Sequence, residues 1–314
     1  LATTLVAHCT LGYSSRSCDF NSPYYHPESS LFSDWFHPSP EAHHMMAQNI
    51  LAIFNAPLYI SAIARDFSHL NEVRSFYLQG LITTFPRGKI KPHLFAAVSN
   101  GNDQDTLWIN SKRHSVNLLH FGVIQSINRH WTLGAALSLA SEKVHPHTLL
   151  HYHVRYQAVS LLTQYQSEGP FYFNGNIALS HLDTRSIKRS VLIGPRLLNL
   201  SGQTEALGIA ALLRAGLQAP FRAHEERGVF VQIDAAHYDV HGFDEQGKKF
   251  LAMHYSPYVY TKENLSLGLN YLYRSDRLPL NFQLETLLKR PLGKRSFAIS
   301  SHLKDLSLIH ISEP

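Results

Sequence analysis

Asp34 and His37 stand three residues apart in Ser33-Asp34-Trp35-Phe36-His37-Pro38-Ser39-Pro40-Glu41. An imidazole beside a carboxylate is the arrangement that activates a hydroxyl nucleophile. The ring takes the hydroxyl proton, and the carboxylate holds the ring's tautomer and stabilises the imidazolium that forms. Two residues this close on one loop can supply both groups. An isolated Asp-x-x-His is more often a capping Asp and a surface His, so the surroundings carry the weight. Ser39 is placed as an N-cap, Pro40 at the first helical position, and Glu41 in the first turn, where a helix dipole favours a negative charge. Ala42, Met46, Ile50 and Ile53 recur at helical spacing and are predicted to face a core. The pair thus precedes a rigid helix, a usual location for catalytic side chains. His43 and His44 match no catalytic position and read as solvated helix residues.

The elements around the pair set its context. Residues 1–30 begin apolar, as a buried strand would, and pass into a Ser-, Tyr- and Pro-rich surface loop. Cys9 and Cys18 lie close together there; in an oxidising compartment they close a small loop, the alternative being two unrelated thiols. Asn55-Ala56-Pro57 is predicted to end the first helix. A second helix is expected over 58–80, where Ile60, Ile63, Phe67, Leu70 and Tyr77 recur at near-helical spacing and Arg65, Asp66, Glu72 and Arg74 make the rest polar. It suits either an amphipathic surface helix or a helix inside a polar barrel, its charges paired to the wall.

From about Lys91 the period becomes two. Trp131, Leu133, Ala135, Leu137 and Leu139 alternate with small or polar residues. So do Phe171, Phe173, Ile177 and Leu179; Leu207, Ile209, Ala211, Leu213 and Leu217; Val229, Val231, Ile233 and Ala235; and Leu265, Leu267, Leu269, Tyr271 and Tyr273. One face is greasy with aromatic ends and the other is small or polar. Five or more such strands of about ten residues favour a barrel in lipid over a soluble sandwich. About ten strands are expected, near 91–99, 115–127, 131–141, 149–164, 170–182, 204–217, 228–240, 258–273, 279–289 and 295–304, joined alternately by short and long polar connectors. Arg214 and Asp234 fall on the small, polar face and are the expected partners of the helix charges.

Bulk composition narrows the class. Of 314 residues, 44% are hydrophobic and 16% charged, with 15 Tyr and 17 Phe. Low charge without any run of 18 apolar residues argues against an ordinary transmembrane helix and is compatible with a barrel, whose lumen-facing residues offset its lipid-facing ones. The formal charge of +5 is scattered, so nucleic acid is not an expected partner. The 21 histidines show no metal-ligand spacing, so neither metal nor cofactor is expected. Leu306–Pro314 resembles the translation of a sequencing adapter and is set aside from fold reasoning.

Residues 33–43, with Asp34, His37 and Pro38, resemble the last block of the GDSL (SGNH) esterase family, D-x-x-H-P-[ST]. The resemblance implies that Asp34 and His37 are the acid and base of a Ser-His-Asp triad. The nucleophile Ser and the oxyanion-hole residues of that family have no counterpart in this sequence. The whole order is similar to the autotransporter (type V secretion) esterases. Carrying that likeness are Cys9 and Cys18, the Asp34–His37 block, the helix at 58–80 and the stretch from Val231 to Gly247. It implies a mostly β fold: a transmembrane antiparallel barrel with about ten of twelve strands present, an N-terminal remnant of an α/β hydrolase passenger, and a linking helix through the lumen.

The expected divisions are passenger over 1–57, linker helix over 58–80, incomplete barrel over 81–305, and the adapter-like tail over 306–314. The expected parent is a surface-anchored carboxylic ester hydrolase in the bacterial outer membrane with its passenger outside. Its expected partners are an ester or lipid substrate, outer-membrane lipid and the barrel-assembly machinery, with one barrel per chain. Without the nucleophile, residues 1–305 alone are expected to be inactive. Two alternatives remain at this stage: a translocator carrying a non-enzymatic passenger, and an outer-membrane pore, against which the helix argues because it would plug the lumen.

Overall fold

The structure, a computed structural model, describes residues 38–85, 91–102, 115–222, 224–274, 281–293 and 297–304. Asp34, His37, Cys9 and Cys18 lie outside these residues, as do most of the predicted passenger remnant and the adapter-like tail.

Helix α1 (Pro40–Phe54) starts as its sequence dictates. The Ser39 hydroxyl accepts a hydrogen bond from the Ala42 amide at 3.1 Å, Pro40 occupies the first turn, and Glu41 lies beside it. Its inward stripe is shifted from the expected one. Ala42 and Met45 are buried and Ile53 packs on the core, but Met46 and Ile50 are exposed. The face that meets the rest of the molecule runs through residues 42, 45, 48 and 52, one position off the row of largest side chains. Helix α2 (Ala56–Thr84) follows after Asn55 alone. The expected stop is only a joint. The Asn55 amide donates to Leu51 O (2.9 Å) and Asn55 O accepts from the Tyr59 amide (3.0 Å), so helical bonding passes through it. Pro57 is tolerated because it sits in the first turn of α2, where an amide hydrogen has no helical partner. Taken together, Pro40–Thr84 is long and apolar enough to cross a membrane by length and composition, contrary to the expectation from residue runs. Along α2 most of its residues are covered by strands, with Phe76 left exposed.

The strands are β1 (His93–Asn102), β2 (Ser115–Ser126), β3 (Trp131–His147), β4 (Leu150–Gln166), β5 (Phe171–Ile193), β6 (Arg196–Arg222), β7 (Glu225–Val240), β8 (Phe243–Asp244), β9 (Met253–Tyr255), β10 (Tyr258–Arg274), β11 (Asn281–Pro291) and β12 (Ser301–Leu303). Nine form one antiparallel sheet in the order β1-β2-β3-β4-β5-β6-β7-β10-β11, each hydrogen-bonded to its neighbour. The sheet curls around α2 but is not closed: β1 and β11 are its edges. The tenth expected strand does not join this wall. Its residues 301–303 form β12, which pairs with β9 in a small sheet completed by β8.

Strict alternation decides which side of the wall each residue takes. Leu207, Ile209, Leu213 and Leu217 of β6 point outward and are about half exposed, while Ala206, Ala210, Leu212 and Arg214 point inward and are buried. Trp131, Tyr165 and Phe171 gather on the outer face at the end of the short turns, with ring centroids 5.0 and 6.5 Å apart, as an aromatic girdle does. Inside, Ile60, Ile63, Phe67 and Leu70 of α2 pack against Tyr156, Ala158, Leu182, Ala206, Tyr238 and Val240. Lower down, Leu78 and Ile82 pack on Ala136 and Leu162.

Candidate functional site

The site that the described residues define is the lumen and the mouth above it. The small inward residues of the wall leave room for α2. Gly208 shows how tight the fit is: a Cβ there would lie 2.7 Å from Tyr238 and 3.0 Å from the Phe67 ring. Phe67 in turn packs on Tyr238 with centroids 4.7 Å apart.

Several buried polar groups on α2 find partners in the wall, as burial favours, while the Gln79 amide is buried without one. Arg74, fully buried, donates to the Ser160 hydroxyl and to Ser75. The Tyr156 hydroxyl donates to Asn71 Oδ1 (2.9 Å), the Tyr152 hydroxyl to Asp66, the Tyr258 hydroxyl to Ile60 O (3.3 Å), and Asn174 Nδ2 to Thr83 Oγ1 (3.0 Å). Glu72 receives Lys262 Nζ at 2.6 Å and Lys289 Nζ at 2.8 Å. These contacts run down α2 from Ile60 to Thr83, so the helix is fixed in rotation and in depth.

The helix charges therefore pair with the lumen wall, but through other residues than the two expected. Arg214 faces inward and is buried, as its register requires, yet its fork closes on wall residues: Glu285 at 2.7 and 3.0 Å and Gln232 Oε1 at 2.7 and 3.0 Å, with the guanidinium 3.9 Å over the Phe230 ring. Asp234 accepts from Asn264 (2.6 Å) and lies 3.7 Å from Lys289. Lys262 and Lys289 were missed because their strands were read from apolar alternation alone. A lysine on the inward parity of a barrel strand was the available signal. Next to this network is a cavity of about 770 Å³, lined by α2 and by residues of both edge strands, β1 and β11.

At the mouth, α1 rests on the β5–β6 hairpin. Gln48 Oε1 accepts from the Gly194 amide (2.7 Å), and Met45 covers Gly194, whose φ of +55° and absent Cβ permit the approach. Beneath it, Arg189 and Glu245, each 1% exposed, form a two-bond pair at 2.7 and 2.6 Å. Arg189 also donates to Ala52 O (3.2 Å) and Leu251 O (3.0 Å); Glu245 also accepts from the Met253 amide (3.1 Å) and the Tyr255 hydroxyl (3.3 Å). One pair thus joins three elements: the last turn of α1, strand β5 and the segment 241–257. Burial, more than any neighbouring charge, pushes the Tyr255 hydroxyl's pKa well up, so it stays a donor. On the exposed side of the β8–β9 ribbon, a 2.6 Å hydrogen bond between His254 Nδ1 and Asp244 Oδ1, with Lys304 behind it, holds the Asp244 carboxyl below its ordinary range.

The described residues form an open sheet of long strands, apolar outside and polar inside, filled by a helix that enters from the N-terminal side. Residues 94–303 match the family described as the autotransporter beta-domain. The chain belongs to that family. The autotransporter fold places this domain in the bacterial outer membrane and makes it a translocator. The chain is also similar to "Lipase 1" of Photorhabdus luminescens, at 22% identity over 322 residues that cover 97% of this chain and 46% of that protein. It spans about half the length of that curated relative. The autotransporter barrel is therefore described directly, and the predicted catalytic pair Asp34 and His37 lies outside the described residues.

Proposed function

We propose that the autotransporter of which this barrel is part is a surface-anchored carboxylic ester hydrolase of the GDSL type, whose barrel translocates and then holds the passenger. The observation that carries this reading is continuity. The Asp34–His37 block runs within two residues into the Ser39 cap of α1, and α1 runs through one joint residue into the helix that fills the lumen. The similarity to a lipase over 97% of the chain supports the same reading. So does the row Met46, Ile50 and Phe54, which is exposed on α1 and which a passenger would cover.

In the proposed mechanism a serine hydroxyl of the passenger attacks the ester carbonyl. His37 takes its proton and Asp34 holds the ring; the alcohol leaves with that proton, and water then releases the acid from the acyl-enzyme by the same steps. The α1 end of the barrel faces the exterior and the opposite end the periplasm. At the α1 end the connector 241–257 is long and the β5–β6 hairpin runs on well past Leu207 before closing at 194–195, whereas the other end closes directly in the turns 127–130 and 167–170; long excursions on the outer side are the usual asymmetry of such barrels. The test is hydrolysis of a p-nitrophenyl ester by the full-length protein in detergent and by residues 1–305 alone. The expected results are turnover by the first that His37→Ala abolishes, and none by the second. Turnover by residues 1–305 would overturn the assignment of the nucleophile to a part of the protein outside residues 1–305.

A further inference from the structure

The outward residues of β6 from Leu217 to Leu207 span ten residue steps, about 33 Å of strand at about 3.3 Å each. At a tilt of about 40° that is about 25 Å of membrane, the height of a barrel's apolar band. Above the band, toward α1, the outer wall turns polar, and its charge is unevenly distributed. On β7 and β10 the outward positions are His237, Asp239, Thr261 and Glu263, and on β6 Glu205. On β3, β4 and β5 they are Lys143 and His145, then Arg155, His153 and His151, then Arg185 and Lys188, with Asp183 as the carboxylate among these outward positions; Glu142 lies beside Lys143 on the other parity of β3, and Glu205 lies opposite Asp183 on β6.

The ladder arranges these residues in rows. Lys143 lies opposite His153, and His153 opposite Arg185; Ser141 lies opposite Arg155, and Arg155 opposite Asp183; His151 lies opposite Lys188 and stacks with His145 at 5.7 Å. The grid is about 10 Å wide and about 13 Å tall from strand spacing and rise. Asp183 is engaged by Arg185 at 2.6 Å. Among the described residues, Lys143, Arg155 and Lys188 have no ion-pair partner. Arg185 and Lys188 are three positions apart, which in a regular strand would put them on opposite faces. A bulge between them, with Ser186 at a φ of +52°, turns Lys188 outward and Arg189 inward to Glu245. A non-glycine residue in the left-handed region is uncommon and costs energy, and bulges re-aim side chains.

We propose that this basic grid on β3–β5 binds the phosphates of a phosphorylated glycolipid in the outer leaflet, at the level where the apolar band ends. The proposal rests on the orientation given above, with the α1 end outside. The geometry suits the chemistry. Guanidinium groups take phosphate oxygens in pairs of hydrogen bonds, and basic patches at the headgroup level gain affinity with each cation. A width of about 10 Å across three strands accommodates a headgroup with more than one phosphate, and acyl chains extending down from it would lie along Leu137, Val159 and Leu179, all exposed on the outer face.

The test uses the full-length protein in lipid nanodiscs doped with a bis-phosphorylated lipid A or with its dephosphorylated form, native mass spectrometry counting the retained glycolipid. The expected result is retention of the phosphorylated form that falls at least about tenfold in K143Q/R155Q/R185Q/K188Q, since each cation contributes about a fivefold preference. The dephosphorylated lipid should be retained no better than by that variant, and E205Q/D239N should match wild type. Equal retention by wild type and the quadruple variant would overturn the site, as would equal retention of the two lipids. Should the quadruple variant fail to assemble, R155Q alone and a salt titration of wild type read the same preference. Thiol labelling of Thr148→Cys in intact cells separates the two claims. A labelled hairpin with unselective lipid retention overturns the lipid site alone, and an inaccessible hairpin overturns the orientation and the site with it.

Discussion

Replacing Glu245 with alanine leaves the Arg189 guanidinium buried beneath α1 without its carboxylate. Arg189 and Glu245 are each 1% exposed and joined by two hydrogen bonds, so screening by water is negligible at this site. Removing one partner of such a pair costs about 3–5 kcal/mol, most of it from the charge left behind. Neither Ala52 O nor Leu251 O, which Arg189 also reaches, can neutralise it. The loss falls on the mouth, because the pair joins α1, β5 and the segment 241–257, while the lumen contacts of α2 are untouched. The amides of Ser201 and Gln246, which exchange hydrogen bonds at 2.9 and 2.7 Å, report on that segment. Their exchange in the folded barrel should accelerate by about 10²–10⁴-fold, the opening change that 3–5 kcal/mol implies. Arg189→Met combined with Glu245→Leu should restore most of the protection, since a buried pair replaced by apolar residues of similar size is often neutral. Unchanged exchange in Glu245→Ala would refute the reasoning. So would a double variant as open as the single one, which would place the loss in the bonds to the Met253 amide and Tyr255 and not in the stranded charge.

Gly208→Val should cost about 1–3 kcal/mol, because a Cβ there meets Tyr238 at 2.7 Å and Ser180 at 2.8 Å; the temperature at which the folded barrel band disappears on a gel should fall. Glu285→Ala should be more damaging than Glu72→Gln. It strands a buried Arg214, at about 3–5 kcal/mol, whereas Glu72 is about a third exposed and its two lysines can turn to water, at about 1 kcal/mol or less; the same gel assay ranks them. The β8–β9–β12 ribbon should loosen in acid. The Asp244 carboxyl is held below its ordinary range, first by the hydrogen bond from His254 and then by Lys304. The unfolded ribbon therefore binds that proton at higher pH than the folded one, and the contribution is complete above about pH 4 and lost as pH falls through the lowered value. Proteolysis in the 241–257 segment should rise below about pH 4, and Asp244→Asn should remove that rise.

The wall was legible because its physics is local. Period-two alternation needs no tertiary information, and every one of the five segments read from it, from Trp131–Leu139 to Leu265–Tyr273, lies on a strand of the large sheet with its apolar residues outward. The helix over 58–80 was legible for the same reason, although it runs from Ala56 to Thr84; its ends depend on a proline that can begin a helix as readily as follow one. What the pattern could not give was pairing. Arg214 was placed on the correct face, but whether it meets α2 or Glu285 depends on which strands sit opposite in a curled sheet. The Arg189–Glu245 pair was invisible for two reasons: a bulge at Ser186 breaks the parity that would have placed Arg189, and Glu245 comes from a connector of the kind that alternation reads as loop. Residues 295–304 alternate well enough to be read as a wall strand, yet the part that becomes β12 pairs with β9 instead. Asp34 and His37 rest on sequence resemblance, because they precede the first described residue.

The most direct measurement of the central claim is ester hydrolysis at the surface of cells producing the full-length protein, wild type against His37→Ala, with surface display of the passenger quantified by antibody in the same cells. The account predicts equal display and a loss of kcat/KM of about 10⁴–10⁶-fold, the scale of removing a triad base, since α2 and its lumen contacts, which carry the anchoring, are untouched. Equal display with undiminished hydrolysis would contradict it and leave a translocator whose Asp34–His37 block does no chemistry.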